Sequence, residues 1–336
     1  LVGGSLSEEG GQLAADPFTP FAWIVLGEVA AGQAQLAKAD SAFARALTLS
    51  EELDIRRARA WSLIRLANIR GRLSGDPGVA ARLLAEAGPL LEADDSFLRG
   101  QFHCVRAGND LDGVWTAGAD ARAGLRFANL AGIRRLHAAC LHVLASDQMR
   151  RGQANEALDN FREEQEEQRA IGDRSGRAAT LQWAGYVLFT IGDYATARSY
   201  LLEAVSEGRA SGNLSPVAWA YLSLSGIALG LGDLSGAITY LDEAEELLLS
   251  QGDQWGLTTL SARRASVALA AGDWATARTI WEAARAENER VGNVVGLLGN
   301  QTGLLELAIA SGDLDTAEQI LEEARLTARS AGMGQW

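Results

Sequence analysis

The sequence holds only two cysteines, Cys104 and Cys140, with three histidines and two methionines among 336 residues. Two thiols cannot build a disulfide framework or a sulfur-rich zinc cage, which points to a reducing, cytoplasmic setting. The five prolines are too few to punctuate a loop-rich or strand-rich chain. Basic residues are outnumbered, since 30 Lys and Arg against 43 Asp and Glu leave a formal net charge of −13. A surface of that sign repels a phosphate backbone, so nucleic acid is excluded as a general partner. Long apolar runs are missing too. The most apolar early stretch, residues 21–32, contains Glu28 and follows Glu8 and Glu9 instead of a basic segment, so it reads neither as a signal peptide nor as a membrane span. No Gly-rich loop ending in Lys-Ser or Lys-Thr exists to cradle a nucleotide phosphate.

What remains is 48% hydrophobic residues, many alanines and 37 glycines, a composition suited to helices joined by short turns. The glycines are periodic. Gly192-Asp193, Gly232-Asp233, Gly272-Asp273 and Gly312-Asp313 recur at a constant spacing, Gly152-Gln153 extends the series backwards, and Gly132, Gly172, Gly212, Gly252, Gly292 and Gly332 run half a period out of step. Two helices per repeat follow. The glycine can take the left-handed conformation that ends one helix, and the Asp can accept hydrogen bonds from the free amides that open the next.

Beyond each Asp stands a small-large-small series on one helix face: Ala197, Leu201 and Ala204; Ala237, Leu241 and Ala244; Ala277, Trp281 and Ala284; Ala317, Leu321 and Ala324. Small residues admit close helix approach, and the large one fills the space between. Ala157 and Phe161 keep the register after Gly152, while Asp112-Gly113 inverts the turn pair. Gly75-Asp76 and Gly32 carry the two earliest turns at irregular spacing. Because each pair would leave apolar surface wet on both sides, the units must stack. The spacing therefore predicts an all-α, right-handed superhelical solenoid of about eight antiparallel helix pairs. Residues 1–20 read as a linker or frayed lead-in, and residues 21–336 as one helical repeat domain with turn glycines near 32, 75, 113, 152, 192, 232, 272 and 312. Since the chain opens on Leu1 and not Met, it is expected to be an excerpt of a larger protein with other domains.

The small-large-small series after a Gly-Asp turn resembles the tetratricopeptide repeat family, over nearly the whole chain. The repeats are longer than the usual form, with an extended second helix such as residues 234–251. In that respect they are similar to repeats of LuxR-type and maltose-regulator signalling ATPases, of peptide-sensing regulators, of kinesin light chains, and of arms beside caspase-like peptidases. The resemblance implies a fold and a role in gripping protein or peptide. It also implies that the first helix of each pair lines a concave surface, at roughly thirteen, ten, six, three and two residues before the turn glycine. This selects Arg65 and Arg72, then Arg99, Phe102, Arg106 and Asn109, then His142 and Arg150 as a basic stretch. It selects Gln182, Tyr186, Phe189, Trp219 and Leu222 as an apolar, partly aromatic one. The expected ligand is a peptide or protein segment with an acidic end and an apolar end, although the arginines could equally pair with acidic neighbours.

Catalysis has little to build on. His103 with Cys104, and Cys140 with His142, lie in first helices where the cysteines fall among packing positions, and adjacent helix residues point different ways, so neither a nucleophile pair nor a metal site is expected. No cofactor is expected either. Glu163, Glu164, Glu166 and Glu167 read as a solvated outer face, and the nine tryptophans mostly as packing residues. The reading is a non-enzymatic protein-interaction or peptide-sensing module, the recognition or sensor arm of a larger signalling protein of the ATP-dependent transcription-regulator type. A substrate-recognition arm of a caspase-like peptidase and a self-assembling scaffold are the alternatives.

Overall fold

The computed structural model describes residues 16–32, 35–74, 77–109, 117–291 and 294–330. All regular structure among these residues is helical, and consecutive helices pack as antiparallel pairs. The helices fall into two compact units divided after Ile171. The first contains α1 (Thr19–Gly32), α2 (Leu36–Glu52), α3 (Arg56–Ser74), α4 (Pro77–Ala87), α5 (Ser96–Asn109), α6 (Ala117–Ala131), α7 (Arg134–Arg150) and α8 (Ala154–Ala170). The second contains α9 (Arg174–Thr190), α10 (Tyr194–Ser211), α11 (Leu214–Gly230), α12 (Leu234–Gln251), α13 (Gln254–Ala270), α14 (Trp274–Val291), α15 (Val294–Ser311) and α16 (Leu314–Ser330).

The junctions behave as their chemistry dictates. Gly232 has φ +77°, in the left-handed region where a Cβ is penalised, and it separates α11 from α12 in a single turn. The next residue works on both helices. The Asp233 amide donates to the Ala228 carbonyl at 2.9 Å, closing α11, while its carboxylate accepts from the Gly236 amide at 2.8 Å, opening α12. Asp193, Asp273 and Asp313 do the same with Thr196, Thr276 and Thr316. At the half-period, Asp173 and Asp253 cap α9 and α13 through Gly176 and Gly256. The expected turns at Gly75 and Gly113, the later Gly292 and Gly332, and most of the expected lead-in lie outside the described residues.

The early repeats depart from the regular spacing for local reasons. No glycine separates α2 from α3, and Asp54 takes the left-handed conformation there instead, at φ 52°. Helix α4 is short because Pro89 stands in a 3-10 turn, Gly88–Leu90, that replaces its continuation.

Packing follows the small-large-small series. Ala197, Leu201, Ala204, Ala237, Leu241 and Ala244 are all buried. The large residue seats against a glycine of a first helix: a Cβ on Gly185 would stand 2.7 Å from Leu201 Cγ, and one on Gly303 would collide with the Trp281 indole. These glycines are shaped by their partners and not by backbone conformation. One member of the series fails. Leu321 is 47% exposed, and Ile320 takes the inner position, in one cluster with Trp281 and Leu304.

Ala237 is fully buried and Glu246, on the same helix, is exposed. Ala237→Leu is expected to overpack the α11–α12 contact and cost about 1–3 kcal/mol, with Glu246→Ala staying within about 0.5 kcal/mol of the parent. Urea denaturation midpoints check this, and equal effects at the two positions would show that the helix faces are misassigned.

Candidate functional site

In the first unit, the residues expected to form a basic groove are largely occupied by carboxylates. Arg65 on α3 pairs with Glu28 on α1 at 2.7 Å and lies over the Phe43 ring. Arg106 on α5 forms a forked contact with Asp120 on α6, and His103 Nδ1 lies 2.8 Å from the same carboxylate. Burial pushes the Asp120 carboxyl up, but the hydrogen bonds and charges of Arg106 and His103 outweigh it and hold the carboxyl below its ordinary value. Arg150 lies 3.6 Å from Asp147, which also accepts from Arg151 at 2.8 Å. The side chain of Arg72 lies outside the described residues. Arg99 differs: it donates to the Ala93 carbonyl and stacks its guanidinium over Phe127. The expected positive stretch is therefore mostly neutralised in place, since Arg65 and Arg106 meet carboxylates of other helices and Arg150 one on its own helix.

Of the other expected groove residues, Phe102 is buried, and Asn109 and His142 are half-buried. Phe102 belongs to the apolar core of the first unit, where Arg106 caps its ring. Asn109 donates to the Val105 carbonyl one turn back. His142 on α7 meets Glu164 on α8 at 3.2 Å, and Gln168 donates to the other oxygen of that carboxylate at 2.9 Å. Glu164 is only 3% exposed and so does not belong to the solvated face expected for its run. It stands where Ala204 and Ala244 stand in later repeats, and the polar partners His142 and Gln168 make a carboxylate tolerable in that packing slot. Burial pushes the His142 imidazole down, yet the adjacent Glu164 charge and hydrogen bond hold it above the ordinary value for histidine. Cys104 and Cys140 are both buried, and the hydrogen bond from Cys104, followed by burial, pushes the Cys140 thiol up. A thiol held protonated is a poor nucleophile.

The second unit presents a different surface. Trp183, Tyr186 and Phe189 follow one another along α9 in ring contact, and Phe189 stacks on Tyr194 at the start of α10. All but the buried faces of these rings remain partly open. Trp219 on α11 packs beside Trp255 on α13 with ring centroids 5.1 Å apart, and its indole N–H donates to Asp253 at 3.2 Å. Trp255 is 59% exposed. Gln182 and Leu222, by contrast, are buried between first helices. Of the seven tryptophans within described segments, Trp281 is enclosed, Trp23 and Trp61 pack partly buried against the core, Trp183 and Trp219 are half-buried, and Trp255 and Trp274 are exposed.

One residue of this surface escaped the family positions. Arg263 on α13 is half-buried, with its guanidinium 5.4 Å from the Phe189 ring centroid. Gly226 on α11 lies between them: a Cβ there would stand 2.8 Å from Phe189 Cζ and 3.4 Å from an Arg263 nitrogen. The missing side chain lets a ring from α9 and a cation from α13 meet across α11. Burial pushes the Arg263 guanidinium below its ordinary value, partly offset by Tyr186. The available signal was a charge at a level where the preceding repeats carry Trp183 and Ser223.

Among the described residues, no cluster of three or more His, Cys, Asp or Glu could hold a metal ion, and no helix is long and apolar enough to cross a membrane. No protein-family model and no curated protein matches the sequence. Solved structures do match the fold. The chain is similar to a Rap protein complexed with competence and sporulation factor, at 14% identity and TM-score 0.65, covering 92% of this chain and 99% of that one. It is also similar to the apo quorum sensor NprR from B. thuringiensis, at 12% identity and TM-score 0.67, covering 92% and 87%. A third match is a signal transduction ATPase with a tetratricopeptide repeat sensor from Pyrococcus horikoshii, at 18% identity and TM-score 0.63, covering 93% of this chain but 47% of that one. The fold is thus that of the tetratricopeptide-type helical-repeat solenoids.

The His142–Glu164 contact sets a pH dependence. A histidine whose folded pKa is raised contributes stability below its unfolded value near 6.5, and that contribution is lost as pH rises through the folded value. The parent is expected to lose denaturation midpoint across that rise, and Glu164→Gln to lose the dependence while the His142 titration, followed by NMR, moves to lower pH. An unchanged His142 titration in the variant would show that the carboxylate does not govern it.

Proposed function

We propose that the chain is a protein- or peptide-binding module, and that it serves as the recognition or sensor arm of a larger signalling protein. The observation that carries the reading is the partly open aromatic surface of the second unit, formed by Trp183, Tyr186, Phe189, Trp219 and Trp255. Large rings left half-open on consecutive first helices cost solvation and gain little within the fold, whereas at an interface such rings supply most of the binding energy. The structures of like fold support it. One is a Rap protein in complex with a factor, another a quorum sensor, and a third carries its repeats as a sensor within a chain about twice the matched length.

The reading assigns binding, and no chemical step, to these residues. In its support, His103 and His142 are engaged by buried carboxylates, and the two thiols lie within the packing. Specificity rests on the second unit more than the first, because Arg65, Arg106 and Arg150 already have acidic neighbours.

A partner captured from the source cell by the parent chain provides the test. Trp219→Ala is expected to speed its release by about tenfold or more, with a smaller change in association rate. Arg106→Glu is expected instead to destabilise the fold by exposing Asp120 to a like charge. A partner released equally fast from Trp219→Ala, Tyr186→Ala and the parent places the interaction on another surface.

A further inference from the structure

Nearly every arginine of the second unit that touches another helix does so through a carboxylate. Arg174 and Arg177 pair with Glu207, and Arg177 also with Glu203; Arg209 pairs with Glu243; Arg264 with Asp242 and Glu245; Arg285 with Glu323. Arg263 is the exception. It is adjacent to a paired arginine, yet its own neighbours are the Phe189 ring and Tyr186, and among the described residues it has no carboxylate partner. A half-buried guanidinium that faces a ring keeps most of its five donors open to water or to a ligand. Its position is specific: it reaches across Gly226, where a Cβ would displace the Phe189 ring and press against the guanidinium.

We infer that Arg263 is the receptor for one acidic side chain, Asp or Glu, of an extended peptide, with a large apolar residue of that peptide lying against Tyr186 and Phe189. This rests on the peptide-binding reading above and names the ligand chemistry within it. Charge complementarity carries the choice of ligand. A planar guanidinium lacking a partner matches a carboxylate in a two-point contact, and the surrounding rings lower the competing hydration. Cation and ring in contact supply an acidic and an apolar subsite side by side. The carboxylate is assigned to a side chain because α13 is interior to its unit, with α11 and α15 packed against it, and a peptide laid across these helices would run on past Arg263 in both directions. The exposed Glu306 on α15 disfavours a second acidic residue further along.

The test is a display selection on the whole chain, using random ten-residue peptides fused at both ends so that none offers a free terminus. Selected sequences are expected to carry one Asp or Glu within about three residues of an aromatic or large aliphatic residue, the reach of neighbouring side chains on an extended strand. Synthetic copies with acetylated and amidated ends should bind Arg263→Gln at least tenfold more weakly, and Arg263→Lys to an intermediate degree, since lysine keeps the charge but loses the fork. Removing a cation that has no partner should leave the thermal midpoint of Arg263→Gln at or above that of the parent, which separates lost binding from lost folding. Selected peptides that lack acidic residues, or that bind Arg263→Gln as tightly as the parent, overturn the inference. If those same peptides are weakened by Tyr186→Ala, the binding surface itself stands. If no peptide is enriched, or enriched ones ignore Tyr186→Ala and Trp219→Ala, both readings fall.

Discussion

The fold depends on a helix being stopped and restarted within two residues. At Gly232-Asp233 the left-handed glycine ends α11, and the aspartate amide and carboxylate then satisfy one of the last carbonyls and one of the first amides on either side of the break. With both helix ends satisfied so locally, the reversal needs no long loop, and the two helices are held close enough for alanines to interlock. A longer connection would let the pair slide, and the seat that Gly185 provides for Leu201 would lose its register. Where the pair of residues is missing, as between α2 and α3, a strained Asp54 does the work of the glycine.

That economy explains how much was legible beforehand. Helix ends such as those of residues 234–251, the buried series Ala237, Leu241 and Ala244, and the pairing of helices all follow from residues near in sequence. The surface was less legible because its chemistry depends on residues of different helices, from 14 to 37 positions apart. Nothing around Arg65 announces Glu28, and nothing around Arg106 announces that Asp120 will turn inward. Glu164 misled for the same reason. Its neighbours in sequence are charged and exposed, but its partners, His142 and Gln168, make a polar slot inside the pair. Arg263 was missed because the family positions describe where a groove usually faces, and the glycine that opens its path is on another helix.

The two units solve the same packing problem with different materials. In the first, buried carboxylates at Asp120, Asp147 and Glu164 are each matched by a cation or imidazole, so cohesion there includes polar contacts that must be fully paired to be neutral in cost. In the second, α11 is buried along most of its length by apolar and small residues, and charge is moved to contacts such as Arg209–Glu243 at the rim. The first unit gains orientation from its pairs. The second gains contact area, and leaves several rings partly open.

The distribution of indoles gives the molecule a built-in optical readout. Trp281 is enclosed and seated over Gly303, so its emission is set by a dry, fixed environment and serves as an internal standard. Trp255 is open to water, and Trp219 lies within 5.1 Å of it, close enough for excitation to pass from one ring to the other. Drying of that pair by an occupant shifts the emission of the wet ring toward the blue and leaves that of Trp281 in place. The same side chains that offer contact area therefore report, without any added label, whether the area is covered.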